Sequence, residues 1–122
     1  MRVDEISLTL PADDAFRRVA HLVLGGLAVR LELTYESLQD VELAVDALLE
    51  RRGDEGEVTL RIRVEGDELR TLVGPFPPEA LRELDEEAAD ALDLRRILTA
   101  VCDRFEVTDG WVELTKRLDG KR

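Results

Sequence analysis

The sequence contains one cysteine, Cys102, and one histidine, His21, among 122 residues. A lone cysteine excludes an internal disulfide framework and any multi-cysteine metal site, and it fits a reducing compartment such as the cytoplasm. No Ser-His-Asp or Cys-His arrangement follows from the position of His21, which falls beside the apolar stripe of a helical pattern. A packed or surface imidazole is the default there. Cys102 falls on a helical apolar face and reads as a small buried hydrophobe. Aromatic residues make up 4% of the chain, so the core must be aliphatic. No apolar run reaches the 18 residues of a membrane-spanning helix. The opening MRVDEISLTLP alternates polar and apolar residues and carries acids, unlike a signal peptide.

Basic clusters are missing too. The longest are the pairs Arg17-Arg18, Arg51-Arg52 and Arg95-Arg96, in a chain with 17 Lys+Arg, 28 Asp+Glu and a net charge of −11. A nucleic-acid surface needs clustered cations to track phosphates, and an anionic membrane would repel this chain. Neither partner is expected. No phosphate-binding glycine pattern is present. Between Gly74 and Gly110 there is no glycine at all, which excludes a glycine-rich phosphate loop from that span.

What remains is a 44% hydrophobic, 37% charged chain, the balance of one folded domain. It is expected to span 1–118 with 119–122 as a frayed tail, the basic stretch from Lys116 onward beginning that fraying. Val3 to Leu10 alternates as a half-buried strand, ended by Pro11. Asp13 or Asp14 caps a helix with Phe16, Val19, Ala20, Val23, Leu24, Leu27 and Leu31 on its apolar side. Gly25-Gly26 interrupt it, and close packing against a neighbour is the expected reason. Thr34 caps a second helix burying Leu38, Val41, Leu43, Ala44, Val45, Leu48 and Leu49. Val58 to Val64 and Leu69 to Val73 alternate on either side of Gly66-Asp67 as a hairpin.

Gly74-Pro75-Phe76-Pro77-Pro78 breaks regular structure. A helical stretch, Glu79 to Asp93, follows with seven acids and one Arg, so it supplies −6 of the −11. Leu94, Ile97, Leu98, Val101, Cys102 and Phe105 mark another helix. Glu106 to Leu114 closes the chain as a hairpin turning at Asp109-Gly110. This order predicts an α+β fold: a two-layer α/β sandwich with a mixed, mostly antiparallel sheet and helices on one face. Glu42, Asp46 and Glu50 recur every four residues and share one helix face, which is solvated or meets a cation.

The strings LTLPADDAFRRVAHLVLGGLAVRLELTYESLQDVELAVDALLE and Leu94-Arg95-Arg96-Ile97-Leu98, in this order and spacing, resemble the anti-sigma factor serine kinases. These are the RsbW-like branch of the histidine-kinase-type (GHKL, Bergerat-fold) ATPases. The resemblance implies a helix-borne Glu-Ala-x-x-Asn motif whose Glu is the general base and whose Asn helps hold Mg²⁺. It assigns those positions to Asp46 and Glu50. It implies an ATP pocket closed by an Asp-x-Gly-x-Gly strand end, here Val73, Gly74, Pro75 and Phe76, and by a glycine-containing lid, here around Leu92 and Leu94.

Each position departs from the motif. Asp46 is a methylene shorter than the base, the strand end carries no acid to accept the adenine amino group, and the lid has added acids in place of glycine. The expectation is therefore a degenerate member with no cofactor, acting by protein–protein binding in a partner-switching system. The resemblance implies a homodimer and, as partner, a sigma factor or a STAS anti-anti-sigma protein. Candidate partner-binding residues are Phe76, Glu79, Glu83, Glu86 and Glu87. Phe76 is either an exposed anchor or a plug in the vacated pocket. The alternative is an active serine/threonine kinase with Asp46 as base and Glu50 as Mg²⁺ ligand.

Overall fold

Period-two alternation builds the sheet. In the computed structural model, which describes residues 5–82 and 94–118, strand β1 spans Glu5–Pro11 with Ile6, Leu8 and Leu10 half-buried and the residues between them exposed. Strands β2 (Glu57–Glu65) and β3 (Glu68–Gly74) form the hairpin expected around Gly66-Asp67. Gly66 takes φ of 60° as the first of the two loop residues, a conformation that suits glycine and matches the strand twist. Strands β4 (Arg104–Thr108) and β5 (Trp111–Arg117) turn through Asp109 (φ 51°) and Gly110 (φ 84°). Positive φ at both central residues is the Asp-Gly hairpin signature.

The strand order is β1-β2-β3-β5-β4, and every pairing among the described residues is antiparallel. The mostly antiparallel sheet expected is thus antiparallel throughout, with β1 and β4 at its edges.

Three described helices lie on one face. Helix α1 (Asp14–Leu31) starts at Asp13, whose side chain accepts from the Ala15 and Phe16 amides, satisfying two of the free amides of a helix start. It ends at Glu32 in the left-handed region. Helix α2 (Tyr35–Arg52) is capped by Thr34 and stops at Gly53. Helix α3 (Leu94–Val101) packs on the other side of α2 from α1. The core is aliphatic apart from Phe16 and Phe76, with Val41, Ala44, Val45, Leu48, Val58, Leu60, Val73, Leu94, Leu98 and Val112 fully or almost fully buried.

Five local expectations change. Leu43, expected on the buried face of α2, is 51% exposed. Helix α3 stops at Val101, and Phe105 belongs to β4. Lys116 and Arg117 are strand residues, and Leu118 is buried, its amide donating to the Asp67 carbonyl at 2.7 Å. The main-chain bond pins the segment where fraying was expected. Of the acidic stretch from Glu79, Pro78–Leu81 is a 3-10 turn and 83–93 lie outside the described residues. Gly25 and Gly26 face open space: a Cβ at either would meet nothing within 4 Å. Close packing among the described residues does not explain them.

Gly74 is the opposite case. A Cβ there would lie 2.5 Å from Cδ2 and 2.6 Å from Cε3 of Trp111, whose indole covers the strand at this point. The two glycines predict opposite outcomes in urea denaturation. Gly26→Ala should stabilise by roughly 0.5–1 kcal/mol through helix propensity. Gly74→Ala should destabilise by about 1–3 kcal/mol, because the rigid ring body must move.

Candidate functional site

The rotation of α2 about its axis decides where the site residues point. Val41, Val45 and Leu48 are buried among the core residues. Asp40 reaches Lys116 Nζ at 2.9 Å, and that ammonium also donates to the Val101 carbonyl at the end of α3 at 3.0 Å. At 100° per residue, Ala44, Ala47 and Arg51 follow Asp40 along the side of α2 that meets α3. Ala44 and Ala47 are buried.

Asp46 lies on the other flank. His21 Nε2 of α1 donates to it, with Oδ1 at 2.9 Å and Oδ2 at 3.1 Å, and Nδ1 stands 4.0 Å from Glu42. An ionised carboxylate only accepts hydrogen bonds, so the imidazole occupies it from the α1 side. Glu50, one turn on, has a 70% exposed side chain that stands 3.6 Å from the Arg51 guanidinium. The structure therefore places Asp46 and Glu50 on the outward, α1-facing side of α2. The i, i+4 pair toward α3 is Ala47 and Arg51. Among the described residues, no group of three His, Cys, Asp or Glu could hold a metal ion.

The other pocket positions turn inward. Val73 and Gly74 are buried at the end of β3, and Pro75 is exposed. Phe76 is only 6% exposed and joins the core together with Leu81 and Leu94. Its amide donates to the Gly110 carbonyl at 2.8 Å, which fixes the loop against the β4–β5 turn. Of the two readings of Phe76, burial excludes the exposed anchor. Glu79 is exposed on the 3-10 turn, whereas Glu83, Glu86, Glu87 and Leu92 lie outside the described residues.

A residue not singled out from the sequence holds this region together. Arg52 ends α2 and donates from Nε to the Pro75 carbonyl (2.8 Å), from Nη1 to Glu55 (2.9 Å) and from Nη2 to Glu57 (2.6 Å). All its acceptors are main-chain oxygens, so no side-chain pattern announces it. One guanidinium thus joins the end of α2, the start of β2 and the loop after β3.

Cys102 sits at the end of α3, partly buried beside the core. Burial pushes its thiol up to about 11, with Lys116 opposing and Asp103 and Asp40 adding to the shift. A thiol held protonated is a poor nucleophile at neutral pH.

No family model matches the chain. It is similar to the serine-protein kinase RsbW of Bacillus velezensis, 27% identical over 98% of this chain and 89% of that protein. The serine-protein kinase RsbW of Bacillus subtilis is 25% identical over the same shares of each chain. That of Bacillus pumilus is 31% identical over 58% of this chain and 49% of its own length. The RsbW-like resemblance read from the sequence therefore holds along nearly the whole chain.

Cys102 supplies a pH test. Between the ordinary thiol value of 9.0 and about 11, the folded state keeps a proton that the unfolded state has lost. Stability must therefore fall as pH rises through that window. Cys102→Ala should flatten the alkaline limb of stability against pH, measured by urea denaturation at fixed ionic strength. An unchanged slope would mean that the thiol titrates as it does in water.

Proposed function

We propose that this chain is an anti-sigma-factor-like regulator that acts by binding proteins in a partner-switching system and performs no phosphoryl transfer. The RsbW-like likeness over 98% of the chain supports the regulatory class. Its partner would be a sigma factor or a STAS anti-anti-sigma protein. The observation that carries the non-catalytic half is the setting of α2. The carboxylate that α2 sends toward α3, Asp40, is held by Lys116, and Ala47 and Arg51 beside it supply neither a carboxylate base nor a neutral Mg²⁺ ligand. Asp46, the assigned base, is engaged by His21 across the helix pair.

Mg-ATP does not fit the residues present. A general base must reach the proton it removes, and Asp46 and Glu50 face away from Phe76 and Leu94. Phe76 fills core volume where an adenine would need room and a carboxylate acceptor. A site lacking the acceptor for a buried donor loses roughly 10⁴ in discrimination. We derive no step through the nucleotide.

The active-kinase reading has one observation in its favour, the name serine-protein kinase carried by its relatives. Isothermal titration with Mg-ATP separates the two. The regulator reading expects binding weaker than about 100 μM, near −5.5 kcal/mol. Tighter binding, or transfer of phosphate to a STAS protein that Asp46→Asn abolishes, would establish the kinase.

The regulator is also expected to be a homodimer. Strand β1 is an edge of the sheet, and an uncovered edge offers a row of unpaired main-chain groups. Sedimentation at tens of micromolar should give a dimer, and a strict monomer would remove that part of the proposal.

A further inference from the structure

The outward face of the α1–α2 pair carries an apolar ridge that nothing among the described residues covers. Among the described residues five large hydrophobic side chains are exposed, and four of them stand on this pair: Leu22 at 75%, Val29 at 81%, Tyr35 at 74% and Leu43 at 51%. Leu22, Gly25, Gly26 and Val29 follow i, i+3, i+4, i+7 and so share one face of α1. The two glycines each cost the helix about 1 kcal/mol relative to Ala. Among the described residues that cost obtains nothing, because a Cβ at either position would meet open space. Their smallness is useful only to something that approaches from outside. Helices cross at 8–10 Å according to the side chains at the contact, and glycine permits the closest approach.

Beside the ridge runs a row of acids. Glu36, Glu42, Asp46 and Glu50 occupy the outward half of α2, with Leu43 between them. An apolar ridge bordered on one flank by carboxylates matches an amphipathic helix with an apolar stripe and Lys or Arg along one side. A second copy is a poorer match, because it would bring two acid rows together in a chain of net charge −11. An anionic lipid surface would be repelled by the same row.

We infer that the outward face of α1 and α2 is a docking surface for a basic amphipathic helix of a partner protein, its stripe seated on Leu22, Gly26 and Val29 and its cations against the acids of α2. This rests on the reading of the chain as a protein-binding regulator and gives that reading a location. The location differs from the acidic stretch after Glu79 that the sequence suggested.

The test uses the full chain and two synthetic helical peptides of about 18 residues, five turns, with the same leucine stripe flanked by lysine in one and by glutamate in the other. NMR titration should move the amides of Leu22, Gly25, Gly26, Val29 and Leu43 with the lysine peptide and show saturable binding. The glutamate peptide should bind at least roughly tenfold more weakly, about 1.4 kcal/mol. Leu22→Ser with Val29→Ser should also cost roughly tenfold.

Gly26→Leu is the sharper variant. It adds apolar surface and helix propensity, so a fall in affinity with stability kept or raised isolates blocked approach. The inference is overturned by shifts confined to other amides, by equal binding of both peptides, or by Gly26→Leu binding as well as the parent. A self-association that Leu22→Ser abolishes would make the occupant a second copy and also overturn it. Tight Mg-ATP binding would defeat the non-catalytic reading and leave these amides unmoved, so the two failures are distinguishable.

Discussion

The burial of α2 is the constraint on which the rest depends. Seven of its eighteen residues are buried, and it lies between α1 and α3. A helix seated on the sheet by Val41, Val45 and Leu48 has no freedom to rotate without exposing a β-branched residue or a leucine, at about 1.5–3 kcal/mol each. Everything on its other sides is then placed in steps of 100°. Asp40 meets Lys116 on the α3 side, and Asp46 meets His21 on the α1 side. The chemistry available between α2 and α3 is set by packing on the sheet, not by how many acids the helix carries.

The loop after β3 is held by interactions that support one another. Gly74 leaves room for the Trp111 ring, Phe76 hangs from the Gly110 carbonyl beside it, and Arg52 holds Pro75 from the other side. A hydrogen bond to a charged donor is worth more than a neutral one, and Arg52 makes several to carbonyls from three stretches of chain. With Phe76 in the core, opening a cavity would mean giving up its apolar burial together with those bonds. The packing of this loop is part of the fold's stability.

The fold was legible because its signals are periodic. Alternation located the strands, Asp13 and Thr34 marked helix starts, and the Gly66-Asp67 and Asp109-Gly110 pairs marked the hairpin turns. The site was less legible because it depends on phase. One residue along α2 turns a side chain by 100°, so the neighbours Asp46 and Ala47 face α1 and α3 respectively. Composition could not reveal this in a helix where acids stand at 36, 40, 42, 46 and 50. Arg52 was hidden because its acceptors are main-chain oxygens, and Leu118 because its anchor is a main-chain bond to a turn fifty residues earlier. Phe105 followed the helical spacing of α3, but Lys116 caps the Val101 carbonyl and the Asp103 amide donates to Thr115, so the chain enters β4 instead.

Charge is distributed according to the same two-layer plan. On the sheet face away from the helices, Arg61, Arg63, Arg70 and Arg104 stand within 4.0 Å of Glu5, Glu65, Glu68 or Glu113. Glu68 is the main reason the Arg70 guanidinium is held above its ordinary value. Such pairs are partly exposed and add little stability, but they leave that face close to neutral. The excess of acid must then lie elsewhere, in the stretch after Glu79 and along the outward side of α2. Along the outward side of α2 the acids repel anions and draw cations. The helix side is also where Leu22 and Val29 stand exposed. Attraction that salt would screen and apolar contact that salt would not therefore coincide on one face, and among the described residues the sheet face offers no comparable apolar ridge.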